Sequence, residues 1–173
     1  MVLSTHAVVG AAVASLFPGN LPLAFGLAVV SHYAADAIPH RDYRLKSHVS
    51  DKNNKLNDSL VISKDSLGDI LKISFDFTLG VALAVLIYFF IHPVGLPVII
   101  CGIVGGVLPD GLQFVYAINR SKFMSYVQRW HNFTHYNHGQ EDLKVSPLVG
   151  FSLQALVATA VVYVTYLISA LKF

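Results

Sequence analysis

A single cysteine, Cys101, stands in 173 residues, and only 13% of the chain is charged. One cysteine excludes an intrachain disulfide framework and a thiolate cluster for a structural metal. Soluble domains carry about 25% charge, so so little charge argues against an ordinary soluble domain. The net charge of +2 lacks the basic excess that nucleic-acid binding requires, so no nucleic acid is expected as a partner. Met1–Thr5 holds no Lys or Arg, the opening of a secretory leader, although Ala12-Val13-Ala14 imitates a cleavage site. What the chain has in quantity is apolar residue, 54% of the total, with a mean hydropathy of +0.58. This composition predicts an all-α, polytopic integral membrane protein.

Four or five hydrophobic helices are expected in one membrane domain spanning 1–173, over about 5–17, 22–38, 70–91, 96–109 and 148–171. The first is short for a span, since about 20 residues are needed. Pro18-Gly19-Asn20-Leu21-Pro22 turns the chain into the second. His92-Pro93 breaks the third, and Pro109-Asp110 is expected to end the fourth, with Leu112–Ile118 continuing as a short, partly buried helix. The stretches 41–69 and 119–147 are polar and read as loops, the first with room for a short surface helix. Both loops fall on one face, which carries every basic residue except Lys172, so the positive-inside rule makes that face cytoplasmic. The two helical hairpins also form a faint repeat: His6 opens the first and Asp36 closes it, while Asp76 opens the second and Asp110 closes it.

The same face gathers the histidines. His32 and Asp36 are four apart, on one side of a helix, and His40 follows just past Pro39. His6 begins the first helix, Asp76 lies in the third, and Asp110 ends the fourth. His131, His135 and His138 follow at i, i+4 and i, i+3 spacings in the loop before the last helix, and only His92 lies elsewhere. Each has an ordinary reading. A lone buried histidine packs between helices, Asp76 can pair with Lys72, Asp110 can be a turn residue, and His48 sits in a charged loop. Convergence of five segments on one level outweighs these readings, because ionisable groups in hydrocarbon are costly unless paired, hydrated or bound to metal.

Imidazole and carboxylate donors without clustered thiolates suit zinc first, with manganese or iron as alternatives. The donors outnumber what one four-coordinate ion takes, which predicts one ion with a large outer shell or two ions. The expected metal residues are His6, His32, Asp36, His40, Asp76, Asp110, His131, His135 and His138, with Asp36, Asp110 and His135 in catalytic roles. Arg41, Arg129 and Lys144 stand at the level to hold a substrate phosphate.

Three motifs carry a family resemblance. Ser31-His32-Tyr-Ala-Ala-Asp36, Leu108-Pro109-Asp110 and His131-Asn-Phe-Thr-His135 resemble the signatures of the membrane-bound metal-dependent hydrolases, small inner-membrane proteins distantly related to zinc-dependent phospholipase C. Those signatures read Ser-His-x-x-x-Asp, Leu-Pro-Asp-x-Asp and His-Arg-Gly-x-Thr-His-Ser. Here their order differs, Leu112 stands where the second acid is usual, Asn132-Phe133 replaces Arg-Gly, and Tyr136 replaces the last serine. The resemblance implies metal binding by His32, Asp36, Asp110, His131 and His135. The expectation for the whole chain is a membrane-embedded hydrolase that cleaves a phosphoester of a lipid or lipid-linked substrate. A divalent-metal transporter and a metal-stabilised membrane scaffold are the alternatives.

Overall fold

The computed structural model of the protein describes residues 1–51, 53–91, 93–136 and 145–171. Among the described residues the chain forms six helices, α1 (Leu3–Ser15), α2 (Leu21–Asp36), α3 (Ser66–Leu86), α4 (Leu96–Ile118), α5 (Lys122–Thr134) and α6 (Pro147–Ala170). The only strands there are β1 (His48–Val49) and β2 (Ser59–Leu60), paired antiparallel. The all-α class is therefore the one the chain adopts.

Among the described residues three stretches are long and apolar enough to cross a membrane: Ser66–Phe89, Leu96–Ile118 and Pro147–Ala170. Each exceeds the roughly 20 residues, at 1.5 Å rise, that a bilayer requires. On α3 the large side chains Leu71, Phe75, Leu79, Leu83 and Leu86 all point outward. An apolar exterior of this kind suits contact with lipid rather than water.

α1 takes a different part. Its 13 residues are apolar on every side, and Thr5 through Ala12 are all buried. A helix without a polar face has to be surrounded, and α1 is packed by α2, α3, α4 and α6. Glycines set how closely. A Cβ on Gly106 would stand 2.3 Å from the His6 carbonyl oxygen, and one on Gly10 would stand 2.3 Å from that of Gly102. Gly102-x-x-x-Gly106 is thus the face of α4 on which α1 lies, a small-residue seam of the kind that brings membrane helices together. Gly105, on the next face, sits against the Phe25 backbone of α2 in the same way. These contacts bring the polar ends of α1, α2 and α4 to one level.

Several elements differ from the sequence expectation, four of them beyond a shift of one or two residues. α3 starts at Ser66, four residues early, and closes in a π-helical turn over Ile87–Ile91. α4 does not end at Pro109 but runs on to Ile118. Pro109 withholds one backbone donor, at a cost of about 3 kcal/mol in an ordinary helix, yet it is buried in the bundle, where packing on both flanks outweighs the loss. The polar stretch 119–147 contains α5, whose N-terminal amide at Met124 is capped by Ser121 Oγ at 3.2 Å. Its apolar residues Phe123, Tyr126, Trp130 and Phe133 recur at helical spacing but face outward, while the buried positions are Met124, Gln128 and His131. The stretch 41–69 carries the β1–β2 hairpin rather than a plain loop. The hairpin's connecting turn is held to the bundle by Tyr116 Oη, which donates to the Leu56 carbonyl at 2.8 Å.

Candidate metal centre

Two groups of donors meet at the mouth of the bundle. In the first, His32, Asp36, Asp110 and His131 each offer one ligand atom, all within 4.8 Å of one another. In the second, Asp36, His40 and His135 do the same. Asp36 belongs to both. α2 supplies His32 and Asp36 one turn apart, with His32 Nε2 3.1 Å from Asp36 Oδ2. α4 supplies Asp110, whose Oδ1 lies 3.8 Å from His32 Nε2. α5 supplies His131, whose Nε2 lies 3.5 Å from Asp36 Oδ2. The Tyr136 amide donates to the Asp36 carbonyl at 2.8 Å and ties the end of α5 to the end of α2, which sets His135 Nε2 3.1 Å from His40 Nε2.

Two rings are fixed by their other nitrogen. His32 Nδ1 donates to the Gly106 carbonyl at 2.8 Å, and His40 Nδ1 donates to that of Ile38 at 2.8 Å. A backbone carbonyl on Nδ1 sets the tautomer that leaves Nε2 as a lone pair, the usual outer-shell arrangement of a metal-binding histidine. Burial pushes His131 down to about 3 and His135 below its ordinary value, so both α5 imidazoles stay in the neutral, ligating form.

The donor set fits a divalent cation by an independent observation. His6 Nδ1 and Nε2, His32 Nε2, Asp36 Oδ2 and His131 Nδ1 are all buried and none is in an aligned hydrogen bond. Unsatisfied buried polar atoms are rare because each costs about 1–3 kcal/mol. Asp36 and Asp110 bring two carboxylates into this cluster, where the Met1 amine, ion-paired with Asp36, is the cation present. The buried His/Asp group can therefore hold a metal ion.

The other predicted residues fall out as follows. His6 belongs to the assembly: its ring stacks on His32 at 3.9 Å between centroids, and Nε2 stands 3.1 Å from Asp36 Oδ1 and 3.9 Å from Asp110 Oδ2. Asp76 belongs to neither donor group. Its carboxylate accepts from the Leu3 amide at 2.7 Å and from Ser4 Oγ at 2.6 Å. α1 begins without a side-chain cap of its own, and Asp76 satisfies the amides that an uncapped helix start leaves open. Arg41 lines the cavity beside the centre, with its guanidinium donating to the Val145 carbonyl at 2.9 Å. Arg129 is exposed on α5 and lines no part of that cavity. His138 and Lys144 lie outside the described residues.

Three contributors were missed by sequence reasoning. The Met1 amine is ion-paired with Asp36 and stands 2.8 Å from His40 Nε2. Asp42 Oδ2 lies 3.4 Å from His40 Nε2 and 3.8 Å from His135 Nε2. The Gln113 carboxamide donates to Asp110 Oδ1 at 3.1 Å and to His131 Nε2 at 2.8 Å. Gln113 had a legible signal, since it stands one turn beyond Asp110 on the same helix face. No protein-family model, curated protein or solved structure matches the chain.

Proposed function

We propose that the protein is a membrane-embedded, metal-dependent hydrolase that cleaves a phosphoester of a lipid or lipid-linked substrate at the cytoplasmic face. The observation that carries this reading is the pair of donor groups joined at Asp36. Zinc is the favoured ion on donor chemistry, with manganese or iron as the alternatives. Bound there, a divalent ion supplies Lewis acidity and lowers the pKa of water toward neutrality.

The chain's own residues have distinct tasks in this scheme. Asp36 is shared by both groups and orients what lies between them. Asp110, less buried than Asp36, faces the cavity and is placed to accept a proton. His135 lines the same cavity and belongs to the second donor group, so its task is to hold metal rather than to carry a proton. Arg41 and Arg44 line the same cavity and offer positive charge to a phosphate. The similarity of the three motifs to the membrane-bound metal-dependent hydrolases supports the same reading. The charge asymmetry of the sequence supports a cytoplasmic site.

The interior below the site favours an enzyme over a transporter. Ala7, Val8, Ala11, Ala12, Ile99 and Ile103 form a buried apolar cluster in the middle of the bundle. A dehydrated cation has no ligand there. The test is to purify the protein in detergent, load it with zinc, manganese or iron in turn, and assay release of phosphate or head group from lipid phosphoesters. Wild-type protein is expected to bind metal and to hydrolyse at least one lipid phosphoester, with His32→Ala and Asp36→Ala losing both properties. A wild type that takes up none of the three ions overturns the proposal.

A further inference from the structure

The metal centre opens into a cavity of about 1110 Å³, at or beyond the upper end of the roughly 300–1,000 Å³ typical of small-molecule sites. It is far larger than a phosphate group needs. Two helices form facing walls. From α3 the lining residues are Ile70, Ile73, Ser74 and Phe77, and from α4 they include Val107, Asp110, Gly111 and Phe114. Both sets follow i, i+3, i+4, i+7 spacing, so each helix gives the cavity one continuous stripe. The α3 stripe runs about 10 Å along the helix axis, and apart from Ser74 it is apolar.

These two walls belong to stretches long enough to cross a membrane. Both pack on α1, which stands between them at the back. The N-terminus of α1 lines the cavity through Met1, Val2 and Leu3, and the hairpin adds Ser59 and Leu60. The slot is open at Gly111, where an added Cβ would meet nothing within 4 Å. The same cavity is lined by the metal donors and by Arg44. One compartment thus joins cation and metal chemistry to a largely apolar slot between two helices that are long and apolar enough to cross a membrane.

From this arrangement we infer that the slot between α3 and α4 holds the hydrocarbon chain of a phosphate-headed membrane lipid, with the phosphate at Arg44 and the His/Asp centre. The identity of the head group rests on the hydrolase reading; the chain slot rests on the two facing stripes. Phe77 and Phe114 are then the residues that contact the chain. The substrate moves in from the bilayer between the two helices, without leaving the membrane for water.

The test does not depend on turnover. The single tryptophan is removed by Trp130→Phe, and an indole is introduced by Phe77→Trp or, on the opposite wall, by Phe114→Trp. Thr78→Trp is the control: position 78 is exposed on α3 and does not line the cavity. Each variant is placed in phosphatidylcholine nanodiscs containing a few mole per cent of a lipid with brominated chains. That lipid is either phosphatidylcholine or a phosphonate analogue of phosphatidate, which cannot be hydrolysed at the replaced bond. Fluorescence quenching is read with and without added zinc. The phosphonate lipid should half-quench the indole of Phe77→Trp and of Phe114→Trp at about tenfold lower mole fraction than brominated phosphatidylcholine, the selectivity that about 1.4 kcal/mol of charge-assisted head-group contact gives. Thr78→Trp should not distinguish the two lipids. Equal quenching by both lipids at positions 77 and 114, in both zinc states, overturns the slot even if zinc is bound. Selective quenching in a protein that binds no metal leaves the slot standing and removes the hydrolase reading.

Discussion

His32 Nδ1 donates to the carbonyl oxygen of Gly106 at 2.8 Å, across the contact between α2 and α4. The same glycine lets α1 approach until the His6 carbonyl would lie 2.3 Å from a Cβ at position 106. Gly106 therefore sets the approach of α1 to α4 and, through its carbonyl, the direction of the His32 ring. The candidate metal centre depends on this packing as much as on its His and Asp donors.

Gly106→Ala follows directly. Alanine is the better helix former, by about 1 kcal/mol, but the methyl group has only backbone to push against. Net destabilisation of about 1–3 kcal/mol is expected, as for an overpacked core, together with weaker metal binding as His6 and His32 move. Gly111→Ala is the internal control, because the added methyl enters open space. It should leave the melting temperature in detergent unchanged or slightly raised. Thermal unfolding of the two variants side by side, with metal content measured on the same samples, checks both halves.

Asp76 gives a second prediction, one that separates support from ligation. Its carboxylate caps α1 through Leu3 and Ser4. Asp76→Ala should cost about 0.5–2 kcal/mol, the range for losing a helix cap. The metal content of the folded fraction should stay at the wild-type level. Calorimetry or a thermal-shift assay, paired with elemental analysis, distinguishes this from a ligand's behaviour, in which metal is lost at unchanged detergent extraction.

The difference between these residues also shows what could be read from the sequence. Apolar runs revealed the helices because hydrophobicity along the chain is a local property. The i, i+4 pair His32–Asp36 and the depth of Asp110 revealed the core of the site, since helical spacing and a membrane boundary fix both. Depth alone did not separate Asp76 from Asp110, because both sit near the same level and only lateral packing directs one to a cap and the other to the cluster. α5 had a local signal, Phe123, Tyr126, Trp130 and Phe133 at helical spacing, but not its orientation, since that apolar face lies outward and Gln128 and His131 lie inward. The Met1 amine and Asp42 entered the site through contacts between segments distant in sequence or outside any helix.

Topology makes a third prediction. With Cys101→Ser as the background, the chain has no other thiol. Ser63→Cys, in the polar stretch before α3, and Gly95→Cys, at the start of α4, place exposed thiols at the two ends of the α3 stretch. If basic loops remain cytoplasmic, a membrane-impermeant maleimide added to intact cells should label Gly95→Cys and spare Ser63→Cys. Permeabilised cells should label both. The reverse pattern would place the metal centre on the outer face and remove the cytoplasmic part of the proposed function.

The shared carboxylate makes the last prediction quantitative. Asp36 is in both donor groups, whereas His32 serves the first and His135 the second. If each group holds its own ion, metal content should fall in a pattern that no general loss of folding produces. Wild-type protein should carry about two equivalents of zinc per chain, a dinuclear site of the kind described for two-metal hydrolases. His32→Ala should empty the first group and His135→Ala the second, each leaving about one equivalent. Asp36→Ala should lower the occupancy of both, because it is the one donor the two groups share. Asp76→Ala serves as the folding control and should retain the full complement. A single equivalent in the wild type, lost equally from His32→Ala and His135→Ala, would instead make the seven-residue assembly one site: the second group would then orient the first, and hydrolysis would have to proceed with one ion and the surrounding histidines as acid and base.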